Sequence, residues 1–136
     1  MSNKLFVFDT NVLVSAVLLP QSTAQRAFQK ATEQGKLAQS LATLDELKEV
    51  LERPKFDKYI DRDERLRFFT ALMREVVLVE VQITITICRD PKDNKFLELA
   101  LSADADFIIS GDDDLLTLNP YQGVNIMTPG KFLNSD

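Results

Sequence analysis

Apolar positions along this chain recur with two periods, and the change between them marks out the elements. Lys4-Leu5-Phe6-Val7-Phe8 is a nearly continuous apolar run that stops at Asp9. Such a run marks a strand buried on both faces, as in a parallel sheet. From Ser22 the period lengthens: Ala24, Ala27, Phe28 and Ala31 fall at i, i+3, i+4 and i+7, and Gly35 ends the pattern. Leu37 to Leu41 reads as a second strand. A helix follows with Leu44, Leu47 and Leu51 on one face, broken at Pro54. Residues 61–76 form another helix, with Leu66, Phe69, Met73 and Val76 inward, and Val77 to Val81 is a strand. Asp90-Pro91 starts a helix that carries Phe96, Leu97, Ala100 and Leu101. Ala105 to Ile109 is a strand, Asp113 to Leu116 a short helical turn, and Val124 to Met127 a last strand. Ile83 to Ile87 alternates Ile and Thr and is assigned to no element.

Strands alternating with helices predict a doubly wound α/β fold: a three-layer α/β/α sandwich on a parallel sheet. No linker, repeat or low-complexity segment interrupts it, so residues 1–136 are expected to form one domain. Ligands of such sheets bind at the carboxyl ends of the strands, where strand order reverses. The residues that directly follow strands are therefore the ones with functional interest.

Composition narrows the chemistry. The chain has no histidine and one cysteine, Cys88. A Ser-His-Asp triad, a Cys-His pair, a His-ligated zinc, a His general base and an intramolecular disulfide are all excluded. Cys88 reads as a small packed apolar residue, and the lone thiol fits a reducing cytoplasm. No apolar stretch is long enough to span a membrane, and no secretion signal opens the chain. Neither GxGxxG nor GxxxxGK[ST] occurs. Any catalysis falls to carboxylates and a metal.

Asp9 ends the first strand, and Asp112 follows the Phe107–Ser110 strand after Gly111, with Asp113 and Asp114 next. Burying an unpaired carboxylate costs several kcal/mol, roughly, so a strand-end aspartate needs a partner. An Asx-turn or helix cap supplies one structural explanation, and a solvated acidic turn explains Asp112 to Asp114. Glu46 and Asp93 lie on helices. Thr43 to Glu46 fits a capping box with Thr43 as the cap. Asp90-Pro91-Lys92-Asp93 orders a cap, an N1 proline and a first-turn acid. Taken together, Asp9, Glu46, Asp93 and Asp112 converge on one sheet edge. Clustered carboxylates there raise one another's pKa unless a hard cation intervenes, and oxygen-only ligands suit Mg²⁺ or Mn²⁺.

Four acid-bearing segments and the chain's ending then resemble a known family. Phe8-Asp9-Thr10-Asn11-Val12-Leu13 resembles the opening motif of PIN-domain nucleases. Glu46 to Leu51, followed by Arg53-Pro54-Lys55-Phe56, is similar to the segment bearing their second acid. Cys88 to Leu97 is similar to the third, Ile108 to Leu116 to the fourth, and Pro129 to Leu133 to the usual ending. The resemblance runs in order over essentially the whole chain. It implies a parallel sheet of order 3-2-1-4-5 and metal-dependent cleavage of RNA, often by a VapC-like toxin paired with an antitoxin protein. It carries metal ligation and catalysis to Asp9, Glu46, Asp93 and Asp112, polar support to Asn11 and Ser110, and an extra acid to Asp90. Serine at 110 replaces the more usual threonine and keeps the hydroxyl. The motif leaves open whether Asp113 or Asp114 reaches the metal, and whether one or two metals bind.

Net charge is −5, which is unusual for an RNA binder. Residues 53–74, however, hold seven basic side chains against four acidic ones, with Phe56, Tyr59, Phe68 and Phe69 among them. Basic residues interleaved with aromatics track nucleic acid, which makes Arg62, Arg65 and Arg67 candidate RNA contacts; a plain solvated helix face or an oligomer contact is the alternative. Val17, Leu18 and Leu19 are either core or a surface for a partner or a second copy. Two rival functions stand beside the nuclease. One is a catalytically silent module of the same fold that binds RNA or protein. The other is a haloacid-dehalogenase-like phosphatase, which needs a second acid where Asn11 stands.

Overall fold

A computed structural model describes residues 4–135. Its centre is a five-stranded parallel sheet: β1 (Lys4–Phe8), β2 (Gly35–Gln39), β3 (Val77–Leu78), β4 (Phe107–Ile109) and β5 (Asn125–Met127), in the order β3-β2-β1-β4-β5. Among the described residues, seven α-helices surround it: α1 (Thr10–Leu18), α2 (Thr23–Gln34), α3 (Leu41–Leu51), α4 (Arg62–Glu75), α5 (Asn94–Ala103), α6 (Asp113–Leu116) and α7 (Pro129–Leu133). The expected architecture and strand order are both present.

Alternation along the central strands builds a core on each face. Phe6, Phe8 and Ile109 pack with α1, α2, α3, α4 and α7 on one side. Val7, Ile108 and Ile126 pack with α5 and Leu115 on the other. The first core has an aromatic centre, with Phe6 stacked on Phe107 at 5.5 Å between centroids and edge-on to Phe132 at 5.3 Å. Both faces of β1 are thus sealed, which explains its unbroken apolar sequence.

The structure departs from the pattern reading in several places. Residues 10–18, assigned to no element, form α1. Six of its nine residues are buried, so it has no polar face and no 3.6-residue period to read. The second strand runs Gly35–Gln39, not Leu37–Leu41, because Ser40 caps α3 and Leu41 is already helical. That cap corrects the capping box: Ser40 Oγ accepts from the Thr43 amide at 3.2 Å, and Thr43 Oγ1 accepts from the Ser40 amide at 2.9 Å. Glu46 has no part in it. On α4 the inward residues are Arg65, Phe69 and Leu72, while Met73 is exposed. The β3 strand is only two residues long, and Ile83 to Ile87 takes no regular structure. Asp90 caps a 3-10 turn, Pro91–Asp93, that precedes α5. Leu18 is core, Val17 is partly buried, and Leu19 is exposed.

One backbone contact is unusually close. Lys4 pairs with Gly35 in the β1–β2 register, and a Cβ at residue 35 would lie 2.0 Å from the Lys4 carbonyl oxygen. Backbone cannot yield there without parting the strands. Gly35→Ala is expected to destabilise the fold by about 2–3 kcal/mol and lower Tm by about 10 °C, read by thermal melting.

Candidate metal centre

The site begins with strand register. Phe8 pairs with Ile109, and the Asp9 amide donates to the Ile109 carbonyl at 2.9 Å. This places Asp9 beside Ser110 at the carboxyl ends of β1 and β4, where the strand order changes direction. Ser110 Oγ donates to Asp9 Oδ2 at 2.7 Å and accepts from the Asp112 amide at 2.9 Å. A hydroxyl at 110 thus joins the two strand-end acids.

Asp9, Asn11, Glu46, Asp90, Asp93 and Asp112 line one cavity of about 200 Å³. Five further side chains complete its wall: Thr10, Val50, Arg53, Lys92 and Phe96. Three of the acids also cap helical segments. Asp9 Oδ1 accepts from the Asn11 amide, Asp90 Oδ1 from the Lys92 amide and Asp112 Oδ1 from the Asp114 amide. The capping and ligand readings of these residues are compatible, because each cap uses one oxygen; the second oxygen of Asp9 accepts from Ser110 and keeps a further lone pair. Their helix N-termini also bring partial positive charge to the acids.

Asp93, Asp112 and Asp114 offer carboxylate oxygens that all lie within 4.8 Å of one another. Asp114 therefore joins the cluster and Asp113 does not. At 4.8 Å two full charges repel by about 1 kcal/mol in water and about 3.5 kcal/mol at an effective dielectric of 20. Asp93 is buried, and its Oδ2 is the one buried side-chain oxygen without a hydrogen-bond partner among the described residues. Burial pushes its carboxyl up to about 7, reinforced by a close contact and the charge of Asp112, then by Asp9 and Asp90. Burial likewise raises Asp9, against the Ser110 and Asn11 hydrogen bonds that lower it. A group of buried and half-buried carboxylate oxygens, one lacking any donor and with no nitrogen or sulfur ligand among them, fits a hard divalent cation such as Mg²⁺ or Mn²⁺.

Glu46 is held differently. Its Oε1 accepts from the Thr10 hydroxyl, and its Oε2 pairs with Lys95 Nζ at 2.9 Å. Lys95 also donates to the Lys92 carbonyl at 2.6 Å. Cys88 is buried near the acids; burial and then Asp93, Asp112, Asp114 and Asp90 push its thiol up to about 11, so it stays an inert thiol.

The three candidate arginines are not part of this cavity. Arg62 pairs with Glu52 at 2.8 Å. Arg67 lies on the outer face of α4 beside Asp63 and Arg74. Arg65 is fully buried, so it cannot contact RNA from the folded state, and that expectation is corrected. Sequence reasoning missed Thr10 and Arg53 as wall residues. Thr10 follows Asp9 directly and was legible as the first helical residue once α1 was known. Arg53 reaches the site only through the turn after α3.

A family model described as PIN domain matches residues 6–114. The chain belongs to the PIN-domain family. A relative from Methanocaldococcus jannaschii, the uncharacterized protein MJ1680, is 32% identical over 138 residues, spanning 93% of this chain and 88% of its own length. Among solved structures, VapBC2 from Rickettsia felis, bound to a DNA fragment from its promoter, has a TM-score of 0.61 at 11% identity, covering 90% of this chain and 96% of that one. PAE2754 from Pyrobaculum aerophilum has a TM-score of 0.61 at 14% identity, covering 97% of this chain and 88% of that one. VapBC-1 from nontypeable Haemophilus influenzae has a TM-score of 0.58 at 15% identity, covering 93% and 98%. These likenesses show the PIN fold. Among the described residues no helix is long and apolar enough to cross a membrane.

The raised acids give this PIN domain a pH signature. Asp93 and Asp9 hold a proton more tightly folded than unfolded, where an aspartate titrates near 3.9. Protonation of Asp93 contributes stability that is complete below about pH 4 and lost as pH rises through about 7, and Asp9 acts in the same direction. The metal-free protein is expected to melt lower at pH 8 than at pH 5, and Asp93→Asn to flatten that fall. Melting curves over a pH series in EDTA check both.

Proposed function

We propose that this chain is a divalent-metal-dependent endoribonuclease that cleaves phosphodiesters of single-stranded RNA, acting as the toxin of a toxin–antitoxin pair in the cytoplasm. The reading takes residues 1–136 as one PIN domain. The observation that carries it is the buried Asp93 oxygen without a donor, set among Asp9, Asp112 and Asp114 at the β1–β4 edge.

Asp9, Asp93 and Asp112 would hold Mg²⁺ or Mn²⁺. Asp114 is a further ligand, Glu46 binds directly or through water, and Asp90 is the extra acid on the cavity wall. When bound, such a cation lowers the pKa of water and offsets charge on a phosphoryl group under attack. The protein's own part is positioning. Ser110 fixes the Asp9 carboxylate and the start of the Asp112 turn. Thr10 and Lys95 fix both oxygens of Glu46, so neither swings across the cavity. Asn11 lies on the wall as a neutral donor and acceptor. Arg53 and Lys92 supply positive charge on the same wall, able to meet phosphate oxygens. With no histidine in the chain, proton transfer rests on carboxylates and water.

Partnership with an antitoxin protein is supported by the fold shared with the VapBC proteins. The same fold is compatible with self-association. The silent-module reading is disfavoured by the acids themselves, since a binding module has no need for buried carboxylates that repel one another. Asn11 stands where the phosphatase alternative needs an acid.

Wild-type protein is expected to cleave a pool of labelled single-stranded RNAs in Mn²⁺ and to lose cleavage in EDTA. Asp9→Asn and Asp112→Asn should each reduce the rate at least a hundredfold, a loss of about 2.7 kcal/mol in transition-state stabilisation. Mn²⁺ should raise Tm of the wild type and not of the variants. Full activity in Asp9→Asn sinks the proposal.

A further inference from the structure

One wall of the acidic cavity continues into an exposed segment with three cations, Arg53, Lys55 and Lys58, and one acid, Asp57. After α3 ends at Leu51, the chain runs Arg53-Pro54-Lys55-Phe56-Asp57-Lys58-Tyr59-Ile60 before α4 starts at Arg62. Arg53 lines the cavity. Lys55 and Lys58 are exposed, and among the described residues neither has a carboxylate partner. Each ammonium instead lies over the ring of the next residue, Phe56 at 5.1 Å and Tyr59 at 5.3 Å. Tyr59 is 53% exposed. The segment's one acid, Asp57, is neutralised from beneath.

That neutralising residue is Arg65. Its guanidinium is fully buried, yet the segment around it is a surface loop. Nε donates to the Leu51 carbonyl at 2.6 Å, Nη1 to the Ile60 carbonyl, and Nη2 to the Arg53 carbonyl at 3.3 Å and to Asp57 Oδ1 at 2.9 Å. A buried guanidinium is tolerated only when its donors are met. Here they are met by both ends and the middle of one loop. Arg65 therefore fixes the loop's path, with Arg53 at the cavity and Lys55 and Lys58 outward.

We propose that residues 53–60 form a strap along which the backbone of single-stranded RNA runs into the acidic cavity, and that Arg65 is its positioning residue. The proposal rests on the ribonuclease reading and names where that substrate lies. Unpaired cations in a row beside an exposed aromatic suit a single strand, whose phosphates take the charges and whose bases stack. Arg53 is free to exchange partners, because its pair with Glu49 is open to water at both side chains. The outer face of α4 is the weaker track: Arg62 is paired with Glu52, and Arg67 and Arg74 share their face with Asp63.

The test measures binding of a short labelled oligouridine by fluorescence anisotropy over a KCl series, in the full wild-type chain with Mn²⁺ present and phosphorothioate linkages in the oligonucleotide to resist cleavage. Joint Lys55→Gln and Lys58→Gln should weaken binding about tenfold and reduce the slope of log K against log salt by about 1.4. Joint Arg67→Gln and Arg74→Gln should leave both unchanged. Arg65→Met should raise deuterium uptake at the amides of residues 53–60 and lower the salt slope, and Arg65→Lys, lacking the planar fork, should not restore it. Melting curves confirm that the Lys→Gln chain is folded. RNA binding whose slope ignores the strap, or follows Arg67 and Arg74 instead, overturns the strap and leaves the ribonuclease reading standing. A chain that binds no single-stranded RNA overturns both.

Discussion

The pairing of β1 with β4 is the constraint on which the rest of this molecule depends. The Asp9 amide on the Ile109 carbonyl closes that ladder, and the next residue on each strand is a site residue, Asp9 and Ser110. A slip of one residue would turn every side chain of β1 over, burying Val7 where Phe6 and Phe8 belong. The aromatic core of Phe6, Phe107 and Phe132 on one face, and Val7 with Ile108 on the other, forbid that slip. Packing therefore sets the position of the chemistry. The hydroxyl of Ser110 then carries the alignment across the strand gap to the Asp112 turn.

That alignment brings like charges together in a place of low solvation. Burial and mutual repulsion raise Asp93 and Asp9. The fold offsets part of this with helix caps, which spend an amide on one oxygen of Asp9, Asp90 and Asp112. It offers nothing to Asp93 Oδ2. Glu46 is the contrast within the same cavity: a threonine hydroxyl and a lysine ammonium occupy both of its oxygens. One acid is satisfied by the protein and the other waits for a proton or a cation. The asymmetry separates an acid already held by the protein from one left open, although the two are a single motif set in the sequence.

Much of this was legible before any coordinates. The β1 run, the helix after Ser22 and the acids after strands follow from period and punctuation alone, because each is a local property of the chain. What escaped was decided by burial from outside. Residues 10–18 hide their helix by being apolar on nearly every side, so no moment survives to be read. The α3 cap was placed at Thr43, whereas Ser40, directly after β2, takes that role and Thr43 is its reciprocal partner. Arg65 looked like one more surface cation on a basic helix. Only the return of residues 51–60 over α4 turns it inward, and no pattern within α4 announces a loop folded back from the preceding element. Asp114 was undecidable from the run of three aspartates, since which of them faces Asp93 depends on the pitch of one short helix.

The charge of the whole chain bears on how a polyanion reaches a cavity of acids. At −5 overall, long-range attraction for RNA is absent, and salt screening confines any help to charges within about 8 Å of the backbone. Two local devices can reverse the sign there. On the proposed reading, a divalent cation among Asp9, Asp93, Asp112 and Asp114 would cancel the repulsion at the point of cleavage. Cations held off from any carboxylate, as Lys55 and Lys58 are, supply attraction just outside it. The second device works only if the protein's own acids are kept from pairing with those lysines. Arg65 gives Asp57, the one acid of the loop, a partner other than those lysines, and on the proposed reading the lysines are thereby left to the substrate.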